Sequence, residues 1–311
     1  MREAIQNLDR QSRVHEIQGR DERIAAIAKA YAQSPENTLV ISPDNRSRME
    51  INERVHAELQ RSGLVSKEEH HIRTLVPRQD LTGADRTWAE RYEVGNVLRY
   101  SRASKETGIG KGEYAQVKSI DAPSNRLTVE LQHGTQRTYD PRRQQGVSVF
   151  REEMRSFSVG DRIQFTAPAN ELKVANRELG TIEIIEENGR LSLKMDGGRA
   201  LELDPPRHPH LDHGYAMTSH SSQGQTADRV LIHVDTELGA KDLLNSRMAY
   251  VSVSRGRYDA QIYTNNAQML GQELSRDVSH SPAIQQEAEA HKIEPQTTHT
   301  NQISQGFGLG L

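Results

Sequence analysis

From Tyr215 onward a short apolar start gives way to Thr218, Ser219, His220, Ser221, Ser222, Gln223 and Gly224, a run of hydroxyls, an imidazole and an amide ending on a glycine. Such a run cannot form a core, which constrains everything around it. It can set several hydrogen-bond donors beside phosphates, with Gly224 letting the backbone come close. About thirty residues later, 248–257 reads as an apolar alternating strand, MAYVSVS, that delivers Arg255 and Arg257 at its end. Arginine at a strand tip suits a γ-phosphate, because its planar fork neutralises charge developing on the equatorial oxygens.

The rest of the pattern alternates between two styles. Residues 21–33 place Ile24, Ile27, Ala28 and Tyr31 at helical spacing, ended by Ser34-Pro35. A short buried strand follows at 38–42, then a helix over 45–61 with Met49, Asn52, Val55, His56 and Leu59 on one face and Gly63 as its stop. Arg46 and Arg48 at that helix start read as solvated helix-end charges, with phosphate contact as the sharper alternative.

From about Tyr92 the style changes to short strands, 94–100, 114–121, 126–132 and 136–139, and then 161–166, 180–186, 190–195 and 200–203. Asn188-Gly189 and Gly197-Gly198 are hairpin signals. The pattern implies two tandem small barrels inserted into an α/β lobe. Tyr92, Tyr100, Tyr114 and Phe165 read as barrel core, although aromatics near Lys105, Lys111 and Lys118 could stack bases. After Thr264 the register is lost, and 280–311 reads as a mobile tail, with Phe307, Leu309 and Leu311 as the anchors of any docking peptide.

T-S-H-S-S-Q-G-Q-T followed by A-Y-V-S-V-S-R-G-R resembles the last two motifs of RecD-like helicases, and most of all the helicase part of TraI/TrwC-like conjugative relaxases. NTLVISPDNRSRMEINERVHAEL resembles the strand, loop and helix that open the second RecA-like lobe in that family, and VGDRIQFT with NELKVANRELGTI resembles its small inserted barrel. The resemblance implies an α/β fold: a RecA-like second helicase lobe interrupted by two small SH3-like β-barrels. The implied divisions are 1–90 for the first part of the lobe, 91–150 and 151–206 for the barrels, 207–266 for the rest of the lobe and 267–311 for a disordered tail. It implies that Arg255 is an arginine finger, and that Thr218, His220, Gln223 and Gly224 couple the DNA track to the nucleotide. Arg46, Arg257 and Lys111 are candidate phosphate or DNA contacts. The implied partners are single-stranded DNA, a P-loop-bearing lobe or relaxase, and conjugative secretion machinery.

Other segments depart from the family pattern. A motor needs G-x-x-x-x-G-K-[ST] and an acidic pair after a buried strand to hold magnesium. The 311 residues contain neither. Gly110-Lys111 lacks the upstream glycine and has Gly112 where a hydroxyl belongs, so it reads as a turn, while Asp21-Glu22 reads as helix-start charge. ATP and magnesium are therefore expected only beside a first motor lobe, with no ATPase activity in isolation. A relaxase domain, with tyrosines and a histidine metal cluster, has no counterpart here. His208, His210 and His213 have H-x-H-x-x-H spacing, but beside Pro205, Pro206 and Pro209 they read as a solvent-exposed linker, and no metal is expected.

With no cysteine, thiolate sites are excluded and a reducing cytoplasm fits. No apolar run approaches the ~18 residues of a membrane helix, so neither membrane insertion nor a classical signal is expected. Forty basic against 43 acidic residues, net −3, give no global positive field, so a DNA site must be local. Two classes of function remain: a motor lobe of a conjugative helicase, or a non-enzymatic module binding single-stranded DNA or the secretion apparatus. An inactive truncated remnant is the bland alternative.

Overall fold

The computed structural model describes residues 2–274, apart from 79, 220, 223 and 238–243. Five strands, β1 (Val14–Glu16), β2 (Thr38–Ser42), β14 (Ala216–Thr218), β15 (Ala227–Val234) and β16 (Gly256–Thr264), form one parallel sheet in the order β1-β16-β15-β2-β14. Parallel strands bury both faces. On one face, α2 (Arg20–Gln33) and α3 (Asn45–Arg61) bring Ile27, Tyr31, Ile51 and Val55 against Val40 and Leu231. On the other, α1 (Arg2–Arg10), α4 (Ser246–Val253) and α5 (Ala267–Glu273) bring Ile5, Met248 and Leu270 against Ile41, Ile232 and Ile262. This is a mixed α/β fold with helices on both faces of a parallel sheet.

α3 ends beside the glycine read as its stop, and an aspartate caps its start. The Asp44 side chain accepts from the Ser47 amide at 2.7 Å, and Gly63 takes φ +75° just past the end. Asp21 and Glu22 lie in the first turn of α2.

The apolar alternation after Met248 is not a strand. Residues 246–253 form α4, because the Asn245 side chain caps the Met248 amide at 2.9 Å and Met248, Ala249 and Ser252 then share one buried helical face. Seven residues of M-A-Y-V-S-V-S satisfy both periods, and the cap decides between them. Similarly, α5 lies within the stretch read as tail. Asn266 caps the Met269 amide at 3.0 Å, and Leu270 and Leu274 join the core beside Ile5. The remaining tail lies outside the described residues.

Two antiparallel sheets occupy the middle of the chain. One has six strands in the order β3 (His70–Pro77), β8 (Val147–Phe157), β4 (Val97–Tyr100), β5 (Tyr114–Asp121), β6 (Arg126–Leu131) and β7 (Gln136–Tyr139). The other runs β12 (Ala200–Leu203), β11 (Leu191–Met195), β10 (Leu179–Ile185), β9 (Arg162–Phe165) and β13 (Leu211–His213). Each has its own apolar core, which Tyr100 and Phe165 fill respectively. β3 and β8 went unread in the sequence, because the charged run REEMR breaks the apolar alternation of β8. β8 pairs with β4 through Val147 to Phe150 and with β3 from Phe150 to Phe157, so residue 150, taken as a division point, lies inside one continuous strand. No helix among the described residues is long and apolar enough to cross a membrane.

Candidate nucleic-acid and nucleotide interface

Three polar residues one turn apart on α3, Arg48, Asn52 and His56, tie that helix to the segment leading into the motif loop. Arg48 donates to Asp212 Oδ2 at 2.8 Å. Burial works to raise the Asp212 carboxyl, and Arg48 and Arg155 outweigh it and hold it below its ordinary value. Asn52, 1% exposed, accepts from the Ala216 amide at 2.7 Å and donates to the His213 carbonyl at 3.2 Å. β14 is the sheet's edge strand, so the Asn52 amide takes the place of the absent neighbour. His56 Nδ1 bonds Asp161 Oδ1 at 2.7 Å.

Asp161, fully buried, is a joint between the parallel lobe and the antiparallel sheets. Its Oδ1 also accepts from the Tyr215 hydroxyl, and its Oδ2 accepts from the Ser158 amide at 2.7 Å. Burial pushes this carboxyl up, yet His213 and His56 outweigh that and hold it well below the carboxylate range. Burial lowers His56 in turn, while Asp161 and Glu69 raise it, for a net upward shift. His56, Asp161 and His213 have the composition of a metal-ligand group. Both carboxylate oxygens accept hydrogen bonds, from Tyr215 and Ser158, while His56 Nε2 and both ring nitrogens of His213 are buried without a hydrogen-bond partner.

The histidine-rich run is therefore not a solvent-exposed linker. β13 pairs with β9 and carries the run inside, leaving His210 and His213 7% and 3% exposed. They part company there: His210 Nε2 meets the Tyr114 hydroxyl at 2.7 Å, whereas His213 Nε2 stands 3.6 Å from Asp161. Gly214 is required at this crossing, since a Cβ would lie 2.9 Å from the Ile163 carbonyl oxygen.

Beyond β14 the loop 219–226 travels from the carboxyl end of the sheet back to its amino end. Thr218 pairs with Ser42 at one end, and Ala227 pairs with Gly256 at the other. The loop is held by its own hydroxyls: Thr218 Oγ1 donates to Ser221 Oγ at 2.9 Å, and Ser222 Oγ donates to the Ser219 carbonyl at 2.8 Å. Gly224 has φ +88° with open space where a Cβ would stand, so the turn, not packing within the chain, requires glycine. His220 and Gln223 lie outside the described residues.

At its upper end the loop reaches a groove of about 690 Å³, which Ser221 lines. Its lining includes Asn45, Arg46, Arg48 and Met49 from the start of α3, Val76, Pro77 and Arg78 at the end of β3, and Arg151 of β8. Gln164, Thr166 and Asp212 line it as well, as do Asn176 and Arg177. At its lower end the loop meets Arg255. That guanidinium donates to the Gln225 carbonyl at 3.2 Å, the Val251 carbonyl at 3.1 Å and the Ser254 hydroxyl at 3.1 Å. None of these acceptors is charged.

The structure thus connects Arg255, Thr218 and Gly224 through one loop, and brings Arg46 to the groove, where it pairs with Glu50 at 3.1 Å. Arg257 is exposed and faces Asp228 at 3.8 Å. Lys111 is exposed on the loop between β4 and β5 and is not among the groove's lining residues. Asn52, Asp161 and Tyr215 were missed as a unit. Their one sequence signal is that Asn52 and His56 occupy the core-facing stripe of an amphipathic helix.

No family model matches the sequence. Two solved structures of Pif1 helicases show partial likeness. One, of Pif1 helicases unwinding forked double-stranded DNA, is 13% identical, with 89% of this chain and 52% of that one covered and a TM-score of 0.39. The other, Bacteroides Pif1 with ADP-AlF4, is 14% identical, with 82% and 46% covered and a TM-score of 0.34. Among curated proteins, the multifunctional conjugation protein TraI of Escherichia coli K12 is 24% identical over 252 residues, which are 78% of this chain and 14% of TraI. The conjugal transfer protein TraA of Rhizobium radiobacter is 32% identical over 111 residues, 35% of this chain and 10% of TraA. The chain is thus homologous to the conjugation protein TraI over about 78% of its own length, and to TraA over a shorter stretch, while spanning only a small part of either.

Proposed function

We propose that this chain is the second motor lobe of a DNA helicase acting in plasmid conjugation, with the parallel sheet as a RecA-like lobe and the two antiparallel sheets as SH3-like inserts. The observation that carries the reading is the single loop 219–226, which touches the groove through Ser221 and Arg255 through Gln225. A loop so placed couples whatever lies in the groove to whatever Arg255 meets. Single-stranded DNA occupies the groove. ATP with magnesium, held by a P-loop-bearing lobe from outside these 311 residues, faces Arg255. The guanidinium, held in place by two carbonyls and a hydroxyl, then neutralises charge on the transferring phosphoryl group. His220 and Gln223 complete the coupling loop, and the assembly works in the cytoplasm beside the relaxase and secretion machinery.

The test is ATP hydrolysis by the chain mixed with the P-loop-bearing lobe of a TraI-type protein and single-stranded DNA. Hydrolysis should depend on both parts, and Arg255→Ala should lower the rate by roughly 10³-fold while sparing DNA binding. Wild-type rates in the Arg255→Ala variant would sink the arginine-finger role. DNA binding with no hydrolysis in any mixture would favour the non-enzymatic module.

A further inference from the structure

We propose that His56, Asp161 and His213 hold a divalent transition metal of the zinc class, which fastens α3 of the parallel lobe to the antiparallel sheets. The proposal stands apart from the motor reading, because all three residues belong to the joint and none lines the groove. The first observation is convergence. One ligand atom from each residue lies within 4.8 Å of the other two, although the residues come from α3, from the position before β9 and from the end of β13. His56 Nδ1 stands 2.7 Å from Asp161 Oδ1, and His213 Nε2 stands 3.6 Å from Asp161 Oδ2. The two imidazoles thus flank one carboxylate, with ring centroids 5.1 Å apart. Four-coordinate zinc, with bonds of about 2.0–2.2 Å, sets its ligand atoms about 3.3 Å apart, so the cluster reaches that spacing by closing its widest gap by about 1.5 Å.

The second observation is unmet bonding. His213 is 3% exposed, and neither of its ring nitrogens has a hydrogen-bond partner. Unpaired buried polar groups are rare in folded chains and costly to leave so. A metal bond at Nε2 uses the lone pair that no donor of the chain reaches. Ligand atoms closed to solvent suit a structural site, whose ion is taken up as the chain folds around it. The carboxylate between the rings is also held in place: the Ser158 amide donates to Oδ2 at 2.7 Å and the Tyr215 hydroxyl donates to Oδ1, and a carboxylate so bonded keeps lone pairs for an ion. The ion replaces the proton between His56 Nδ1 and Asp161. His56 Nε2–H then faces Glu69 at 3.7 Å, and the two carboxylates balance a divalent charge. Two imidazoles and a carboxylate select zinc, cobalt or nickel over magnesium and calcium. His210 takes no part, since its Nε2 meets the Tyr114 hydroxyl.

The experiment takes the full chain, strips it with a chelator, loads it with zinc and dialyses it, and the bound metal is counted by mass spectrometry. About one equivalent per chain should remain. Cobalt in its place should give the intense visible bands of a four- or five-coordinate ion. His213→Gln removes a ligand without breaking any hydrogen bond of that ring, and should weaken zinc binding by about a hundredfold or more, whereas His210→Gln should keep it. Hydrogen exchange of the wild type needs no variant: zinc should slow exchange at 158–163 and 211–215 by about tenfold or more. Wild type retaining no zinc, His213→Gln binding it as tightly as wild type, an equal loss in His210→Gln, or exchange at the joint that zinc leaves unchanged overturns the proposal and assigns any bound metal to other histidines.

Discussion

Two buried polar clusters in this chain use the same residue types to opposite electrostatic ends. Inside the parallel lobe, Arg23, 1% exposed, bonds Asp235 just past β15, meets His233 Nε2 at 3.3 Å and donates to the Ile17 and Gln18 carbonyls. Burial and the neighbouring Arg23 push His233 down to about 4, so it is a neutral wedge beside a permanent cation. At the joint between the lobe and the antiparallel sheets, the permanent charge is the Asp161 carboxylate, and His56 beside it is shifted upward. Burial beside an arginine that cannot be discharged keeps a proton off His233, whereas the Asp161 carboxylate draws one to His56. The lobe's interior is thus built to hold in neutral and alkaline solution, and the joint to hold best in mild acid.

The largest effect that would break this contrast is at Arg23. Arg23→Met leaves Asp235 buried beside β15 without its cation, and should cost about 3–5 kcal/mol in urea denaturation. A loss below about 1 kcal/mol would mean that the inner cluster does not depend on this charge.

Acid comes next. His233 and His210 both have folded values lowered to about 4, His210 by burial, then by Arg99 and His208. The unfolded chain binds these protons first. Their contribution is complete above about pH 6.5 and is lost as pH falls toward 4, about 2 kcal/mol from each by pH 5. His233→Gln should halve the difference in stability between pH 7 and pH 5. An unchanged difference would remove His233 from the account.

The smallest effect is alkaline and belongs to the joint. A raised His56 contributes fully below about pH 6.5 and loses that contribution as pH rises through its folded value. Glu69, 3.7 Å from Nε2, loses a charged partner, while the Nδ1 hydrogen bond to Asp161 survives in the neutral tautomer. Wild type should therefore weaken modestly between pH 6 and 9, and His56→Gln should not. A variant that kept the same alkaline slope would assign it to other groups.

Much of the lobe was legible because it depends on local signals. α3 follows from a helical stripe and a stop glycine, both within a few residues of where they act. The hairpin at Asn188-Gly189 follows from a backbone preference, and Gly189 takes φ +84°. α4 was not legible. Seven residues with two admissible periods need the Asn245 cap and the core of β15 and β16 to choose between them. The histidine run misled for a related reason: prolines at 205, 206 and 209 signal a loop, while pairing of β13 to β9 is a contact across nearly fifty residues that no local rule encodes.

By itself the sequence determined that the run after Met217 is rich in hydrogen-bonding hydroxyls, and which arginine follows the last apolar segment. It also determined that no global positive charge would announce a polyanion. Only the tertiary structure decided that one loop would touch both the groove and Arg255, that Asp161 would be shared by His56 and Tyr215, and that Arg46 and Arg48 of the groove would arrive already paired. Composition and spacing act over a few residues, through dihedral preference and the period of burial. Charge pairing and the meeting of sheets act through space between segments as far apart as Arg48 and Asp212, and exist only once the chain has closed.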